Sequence, residues 1–271
     1  MVIKFCILVK SMSIKFKLGI ENPNGDLHSH VFNAVRDGRM LLVSGDKNKK
    51  GNLLVNFNKT EEVGDALPEL SKVISETIYG SSDFSDMVNN YYFSDPSRDN
   101  LVVYNDSGIA LGLTQLKQYI SNDNAILEVT ITAFRKTARG GMFNIMNGFI
   151  HSIANVLHGT KNKFLVLKTR SPILIKVLLD LDFYNPCFCD RNLSLDKIAK
   201  NFYVDRGFRI GDNLVVDLSG THYSSLPKPK MEAIGREPID WFKNSLGNNF
   251  TACFIKKITA DDSHLKKLIS A

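Results

Sequence analysis

The clearest pattern along the chain is a change from two-residue to helical periodicity within residues 129–158. Apolar Val129 and Ile131 alternate with threonines, as in a half-buried strand. Further along, apolar residues recur at the spacing of one buried helix face. The pattern predicts a strand followed directly by a helix, joined by a short connection that is basic and contains glycine.

The same reasoning predicts the neighbouring elements. A strand at 53–57, a helix at 66–80 and two strands around a turn at 105–108 come first, and they lead into the strand described above. After the helix, the apolar run 164–169 is typical of a buried strand. We expect it to lie parallel to the strand before the helix, because a strand–helix–strand unit normally returns in parallel.

The two ends of the chain are less regular. Residues 1–51 are predicted to form an N-terminal extension of short strands joined by a polar loop that holds His28 and His30. We expect these histidines at the surface and no metal site, because no third ligand stands at a fixed spacing. Residues 219–271 are predicted to supply a connector, a short helix near Trp241 and a final strand.

Composition limits the possible classes of protein. The 271 residues, 44% of them hydrophobic, suit one large domain or one domain with additions. The net charge of +6 is compatible with partners that carry phosphate but is too small to indicate nucleic acid. The first apolar run is too short to span a membrane, and the four cysteines lack zinc spacing. We expect a soluble cytoplasmic protein with reduced thiols and no membrane partner.

The connection between strand and helix concentrates charge and glycine in Arg135, Lys136, Arg139, Gly140 and Gly141. A helix N-terminus presents unpaired N–H groups and partial positive charge, and glycines let an anion approach the backbone. The connection can therefore bind phosphate. A tight turn with solvated cations is the second interpretation, since one glycine pair is a weak signal. The spacing is neither that of a Walker loop nor the three-glycine dinucleotide fingerprint.

The connection resembles the hallmark of the GNAT superfamily of acyl-CoA-dependent N-acetyltransferases, in which Arg/Gln-x-x-Gly-x-Gly/Ala joins a strand to a helix. The run 135–140 is similar to that motif, with Phe134 as the preceding aromatic and Ala138 in place of the first glycine. The strand–turn–strand run at 100–116 is similar to the family's second and third strands. The resemblance implies a core domain at residues 52–218.

The resemblance also implies a fold and a ligand. The fold would be α+β, with a mixed, mostly antiparallel central sheet flanked by helices on both faces. Acetyl-CoA would be the acyl donor, no metal would be required, and the acetyl group would pass by direct attack to a primary amine of a small molecule, peptide or protein. No motif identifies that acceptor. The residues implied for acetyl-CoA binding are Ile131, Thr132, Arg135, Lys136, Thr137, Ala138, Arg139, Gly140 and Gly141.

Two catalytic roles follow from the resemblance. Glu128 is the implied base for the amine; by alternation it shares a face with Thr130 and Thr132, and the alternative is an exposed strand carboxylate. For the acid that protonates the leaving thiolate, Tyr203 fits the family's spacing and Tyr184 fits the chain order. For either tyrosine the alternative is an aromatic ring packed in the core.

Three classes of function remain at this stage. The first is an acetyl-CoA-dependent N-acetyltransferase. The second is a non-catalytic acyl-CoA-binding protein of the same fold, which the substitution at Ala138 favours. The third is a basic RNA-associated protein, for which the chain offers neither an aromatic RNA-binding strand nor a dense Lys/Arg stripe. The sequence favours the first.

Overall fold

A ten-stranded sheet organises the part of the chain that the computed structural model describes, which is residues 15–18, 26–44, 52–138, 141–169, 171–219, 250–261, 263 and 265. The sheet order is β1-β2-β3-β4-β5-β6-β7-β10-β9-β8. The strands are β1 (Lys15–Leu18), β2 (Met40–Ser44), β3 (Asn52–Lys59), β4 (Asp99–Asn105), β5 (Ala110–Ile120), β6 (Asn124–Phe134), β7 (Asn162–Thr169), β8 (Arg209–Ile210), β9 (Val215–Asp217) and β10 (Phe250–Ile258). All neighbouring strands are antiparallel except β6 and β7, which are parallel.

Helices cover both faces of this sheet. They are α1 (Leu27–Arg36), α2 (Leu67–Ile74), α3 (Ser85–Tyr92), α4 (Met142–Leu157), α5 (Pro172–Asp180) and α6 (Leu193–Val204). One face packs on α1, α4 and α5, and the other packs on α2, α3 and α6. The predicted α+β fold with a mixed, mostly antiparallel sheet is therefore confirmed. No helix formed by the described residues is long and apolar enough to cross a membrane.

The β6–α4–β7 unit forms the centre of the molecule. Ile145, Phe149 and Ile153 of α4 are fully buried in one core with Leu127 of β6 and Leu165 of β7. Each buried side chain of this size stabilises the fold by about 1.5–3 kcal/mol. This packing fixes the start of α4 at the carboxyl end of β6, where the basic connection lies.

The polar run near the N-terminus is a helix rather than the predicted loop. Asp26 caps α1, because its carboxylate accepts hydrogen bonds from the backbone N–H groups of His28 and Ser29. Val31 of α1 packs in the same core as α4. His28 is only 4% exposed, and its Nδ1 lies 3.4 Å from the Ser152 hydroxyl of α4, so its predicted surface position is wrong.

Other expectations for the chain ends have mixed outcomes. The strand β2 and the final strand β10 lie where the sequence predicts strands. The first predicted strand, the connector after residue 219 and the predicted helix near Trp241 lie outside the described residues.

A β-bulge interrupts β6 at Thr130. Leu116 of β5 pairs with Val129, and the preceding Gln115 pairs with Ile131, so that Thr130 is an extra residue on β6. The Thr130 hydroxyl donates to the side-chain oxygen of Gln115 at 2.9 Å. This side-chain hydrogen bond holds the bulge in addition to the backbone pairing of β5 and β6.

The bulge reverses the alternation of side chains along β6. Val129 lies in the core beneath α4, whereas Ile131 lies in the core beneath α2 and α3. Thr132 therefore faces away from the side of Glu128, and its hydroxyl lies 3.2 Å from that of Thr114. The prediction that Glu128 and Thr132 share a face is wrong, because alternation assumes an uninterrupted strand.

Gly112 of β5 occupies a position that requires glycine. Its φ is 152°, and an added Cβ would overlap the carbonyl oxygen of Ala133 and the ring of Phe134. We expect Gly112→Ala to lower the free energy of unfolding by about 2 kcal/mol in urea denaturation. Gly108→Ala is the control: its φ is 78° with open space around it, and it should cost about 1 kcal/mol. Equal losses for the two variants would contradict this account.

Candidate functional site

The candidate site begins where the parallel strands β6 and β7 stop pairing. Their register runs from Asn124 with Asn162 to Val129 with Leu167. Beyond that point each strand stays paired to its outer neighbour, β6 to β5 and β7 to β10, while no described pair joins the two to each other. We call this opening, residues 129–134 and 167–169, the fork.

The basic connection leaves β6 beside the fork with a defined backbone. The Arg135 N–H donates to the Leu111 carbonyl of β5 at 2.8 Å, and the Ala138 N–H donates to the Arg135 carbonyl at 2.8 Å. Residues Lys136–Ala138 form a 3₁₀ turn in which Lys136 and Thr137 are exposed and Ala138 is buried. Ala138, which stands where the family motif has glycine, thus packs its methyl group in the core.

The second half of the connection leads into α4. Arg139 and Gly140 lie outside the described residues. Gly141 is the N-cap of α4, with a φ of 69°, and its carbonyl accepts from the N–H groups of Asn144 and Ile145 at 3.0 and 3.2 Å. A glycine cap supplies no side-chain acceptor to the first-turn N–H groups, so this helix end suits an external anion.

One cation of the connection is already paired. The guanidinium of Arg135, about one-third exposed, contacts the carboxylate of Glu69 on α2. This ion pair ties α2 to the connection and offsets part of its charge. The positive potential that the sequence assigned to Arg135 therefore rests more on Lys136 and on the start of α4.

Glu128 lies at the base of the fork, one residue before the last pair of β6 and β7. It is 1% exposed, so the alternative of an exposed strand carboxylate is wrong. Its Oε1 accepts from Lys168 Nζ at 2.8 Å, and its Oε2 accepts from Arg206 Nη2 at 2.8 Å. Glu128 therefore joins β6 to β7 and to the segment after α6.

This arrangement sets the charge state of Glu128. Burial alone would raise the pKa of Glu128, but the adjacent Lys168 and Arg206 outweigh burial and hold that pKa below its usual value. A carboxylate with both oxygens engaged and a lowered pKa accepts a proton less readily than a free one. The geometry thus favours Glu128 as a fixed negative charge more than as a base.

Aromatic rings hold the two cations in place. Lys168 Nζ lies 5.0 Å from the ring centre of Phe208. Arg206 Cζ lies 4.2 Å from the ring centre of Tyr119 and 4.4 Å from that of Phe202. These distances are within the range of cation–π attraction, so the ion pairs are orientated from two sides.

Tyr203 lies beside this cluster and is fully buried in α6. Lys168 Nζ is 5.2 Å from its ring centre. Its hydroxyl neighbours the Cys253 thiol of β10, and no described residue makes a well-aligned hydrogen bond with that hydroxyl. Burial, followed by the effects of Cys253 and Glu128, raises the pKa of Tyr203 well above its usual value, so the phenol keeps its proton at neutral pH.

Tyr184 has a different environment. Its hydroxyl donates to Asp196 Oδ1 at 2.9 Å and accepts from the Asn192 N–H at 2.9 Å, which fixes the start of α6. Its N–H and carbonyl also bond to Ile255 of β10. The Tyr184 hydroxyl therefore has a structural role at the start of α6. The described residues give the Tyr203 hydroxyl no comparable hydrogen bonds.

The structure brings Glu128 and Tyr203 together around a lysine that the sequence did not single out. The sequence analysis identified neither Lys168 nor Arg206 as a site residue. Their signals were present: Lys168 is a lone cation near the end of an apolar strand, and Arg206 directly precedes Gly207 after the tyrosine helix. Neither feature of the sequence identifies the carboxylate that the cation contacts.

Comparisons with known proteins give likenesses of fold at low identity. No protein-family model matches the chain, and no curated protein matches its sequence. Solved structures of GNAT acetyltransferases are among those that the chain is similar to. A GNAT-family acetyltransferase from Streptococcus pneumoniae is 10% identical with a TM-score of 0.40, and the match covers 76% of this chain and 99% of that one.

Two further solved structures give similar values. A possible acetyltransferase from Clostridium difficile 630 is 15% identical with a TM-score of 0.39, over 52% of this chain and 94% of that one. The spermidine/spermine N-acetyltransferase SpeG from Vibrio cholerae is 10% identical with a TM-score of 0.38, over 81% of this chain and 98% of that one.

Proposed function

We propose that this chain is an N-acetyltransferase of the GNAT superfamily, which transfers an acetyl group from acetyl-CoA to a primary amine of a small molecule, peptide or protein. The observation that carries the proposal is the fork between β6 and β7, which opens beside the glycine-capped start of α4. The pantetheine arm of acetyl-CoA is thin, contains amides and is attached to a diphosphate, so it suits the fork. The arm can lie along the inner edges of the two strands, and the diphosphate can lie on the helix N-terminus.

The proposal assigns roles to the residues that the resemblance identified. Residues 135–141 would hold the diphosphate, with the N–H groups at the start of α4 and the exposed Lys136 supplying positive potential. Ile131 and Thr132, just beyond the last pair of β6 and β7, would line the acyl end of the slot. No metal ion has a role in this scheme.

The residues at the base of the fork would act on the amine. An ammonium ion must lose its proton before its nitrogen can attack the thioester carbon, and nearby Lys168 and Arg206 favour that loss by lowering the pKa of a bound ammonium. Glu128 keeps these cations in place as a fixed negative charge, and the proton of the ammonium passes to water. As the C–N bond forms and the C–S bond breaks, Tyr203 would donate its proton to the thiolate, and the proton released by the acylated nitrogen would restore the phenol.

A second function has its own supporting observation. Glu128 has both oxygens engaged, and Tyr203 is fully buried. These features suit a protein of this fold that binds acyl-CoA without turnover. Release of CoA across a panel of amines separates the two functions: acetyl-CoA binding with no release for any amine favours the non-catalytic protein.

Acetyl-CoA is expected to raise the melting temperature of the protein, because a ligand that binds only the native state stabilises it by mass action. Gly141→Asp should abolish this shift by placing a carboxylate at the start of α4, where it competes with the diphosphate. Thermal unfolding with and without millimolar acetyl-CoA measures the effect.

Gly141→Asn is the matched control for this experiment. Asparagine has nearly the same shape, also tolerates the left-handed conformation, and carries no charge. It should keep most of the shift, whereas Gly141→Asp loses it. If the wild-type protein shows no shift and calorimetry detects no binding, the proposed function is wrong.

A further inference from the structure

Six charged side chains form two groups of ion pairs on the face of the sheet that carries α2, α3 and α6, and the ring of Tyr119 lies between the two groups. Together the two groups begin after α3 and end at the fork. We call them the cationic strip, which consists of Asp95, Arg98, Lys117, Glu128, Lys168 and Arg206.

One end of the strip lies at the C-terminus of α3. Asp95 Oδ2 accepts from Lys117 Nζ at 2.6 Å and lies 3.5 Å from Arg98 Nε. Arg98 Nη1 also donates to the carbonyls of Tyr91 and Tyr92 at 3.3 and 3.1 Å. A helix C-terminus stabilises a cation, so this end of the strip is well anchored.

The ring of Tyr119 joins this end to the fork. Lys117 Nζ lies 5.8 Å from its centre, and Arg206 Cζ lies 4.2 Å from it. From Arg206 the contacts continue through Glu128 to Lys168. The strip therefore leads from the segment after α3 to the base of the fork, where the acyl donor is proposed to bind.

The strip carries more positive than negative charge. Its four cations and two carboxylates give the strip a net charge of +2. Hydrogen bonds and neighbouring cations outweigh burial and hold the pKa of Asp95 and of Glu128 below their usual values, so both carboxylates are charged at neutral pH. The side chains of Lys117 and Arg206 are 31% and 21% exposed, so the excess charge acts on a ligand in solution.

We propose that the cationic strip is an acceptor-binding surface that selects primary amines bearing a carboxylate and disfavours polyamines. The proposal rests on the proposed acetyl transfer. A carboxylate on the acceptor interacts favourably with the excess positive charge, whereas each further ammonium group is repelled. The same excess charge lowers the pKa of the bound ammonium, which favours the neutral nucleophile.

Three amines of equal chain length test the charge preference directly: 5-aminopentanoate, pentylamine and cadaverine. Each has five carbons, and the carbon farthest from the shared amine is a carboxylate, a methyl group or an aminomethyl group. Calorimetry on the full chain should show about tenfold tighter binding of 5-aminopentanoate than of cadaverine, with pentylamine between them, and added salt should reduce the difference. CoA release in the presence of acetyl-CoA should give the same order.

Variants inside and outside the cationic strip test whether the strip causes the preference for the amine that bears a carboxylate. Lys117→Gln should reduce the preference severalfold, since Arg98 still holds Asp95, and Lys117→Arg should retain it. Lys200→Gln is the control outside the strip, because Lys200 pairs with the exposed Asp212 and should leave the preference unchanged.

The outcomes separate the two proposals. Cadaverine binding as tightly as 5-aminopentanoate, or no binding of any of the three, overturns the acceptor preference even if acetyl-CoA binds and amines are acetylated. Preferential binding of 5-aminopentanoate without any binding of acetyl-CoA supports the strip as an anion-selecting surface and overturns the acetyl-transfer function.

Discussion

Replacing Glu128 by glutamine is expected to lower the free energy of unfolding by about 3–5 kcal/mol, because it leaves two buried or half-buried cations without their counter-charge. Lys168 and Arg206 each contact one carboxylate oxygen at 2.8 Å, and the glutamine amide replaces one of these oxygens with a donor. Denaturation in urea measures the loss.

Asp95→Asn is the matched control for Glu128→Gln. Asp95 also contacts two cations, but its side chain is 25% exposed, so water screens the pairs and the expected loss is about 1 kcal/mol or less. Equal losses for the two variants would show that burial does not set the strength of the Glu128 cluster.

The pH dependence of stability gives an independent check on Glu128. Its pKa is lowered in the folded protein, so its contribution is fully present above the ordinary value of about 4.5 and is lost as the pH falls through the folded value. The stability difference between wild-type protein and Glu128→Gln should therefore be constant near neutral pH and shrink below about pH 4.5. A difference that keeps its neutral value throughout the acid range contradicts the ion-pair account.

The centre of the fold could be predicted from local sequence patterns. Alternation and turn residues predict β4, β5 and β6, and helical spacing predicts α4, since these signals come from residues close together in the chain. The helix α1 was missed because the asparagine, glycine and histidine around it are typical of loops. Its own signals were Asp26 as an N-cap and the spacing of Val31 and Val35.

The candidate site could be predicted only in part. The connection at 135–141 is contiguous, so the sequence shows its charge and glycines directly. The partners of Glu128 are 40 and 78 residues away, and no local pattern pairs a carboxylate with cations at such distances. The bulge at Thr130 also reversed the predicted facing of Thr132, because one extra residue shifts every later side chain to the other face.

Replacing Tyr203 by phenylalanine is expected to lower turnover by about 100-fold or more with little change in acetyl-CoA affinity, if its hydroxyl protonates the leaving thiolate. The ring keeps its packing in the core with Phe202 and Phe208. The lost hydroxyl has no well-aligned hydrogen bond among the described residues, so stability should stay nearly constant. Steady-state CoA release and thermal unfolding measure the two effects on the same preparation.

Tyr184→Phe is the matched variant, and it should show the opposite pair of effects. Its hydroxyl makes hydrogen bonds at 2.9 Å to Asp196 and to the Asn192 N–H, so its removal should cost about 1–2 kcal/mol of stability. Turnover should be nearly unchanged, because that hydroxyl fixes the start of α6 rather than facing the fork. A large loss of turnover in Tyr184→Phe with none in Tyr203→Phe would assign the acid to Tyr184. Full turnover in both variants would mean that the thiolate takes its proton from solvent.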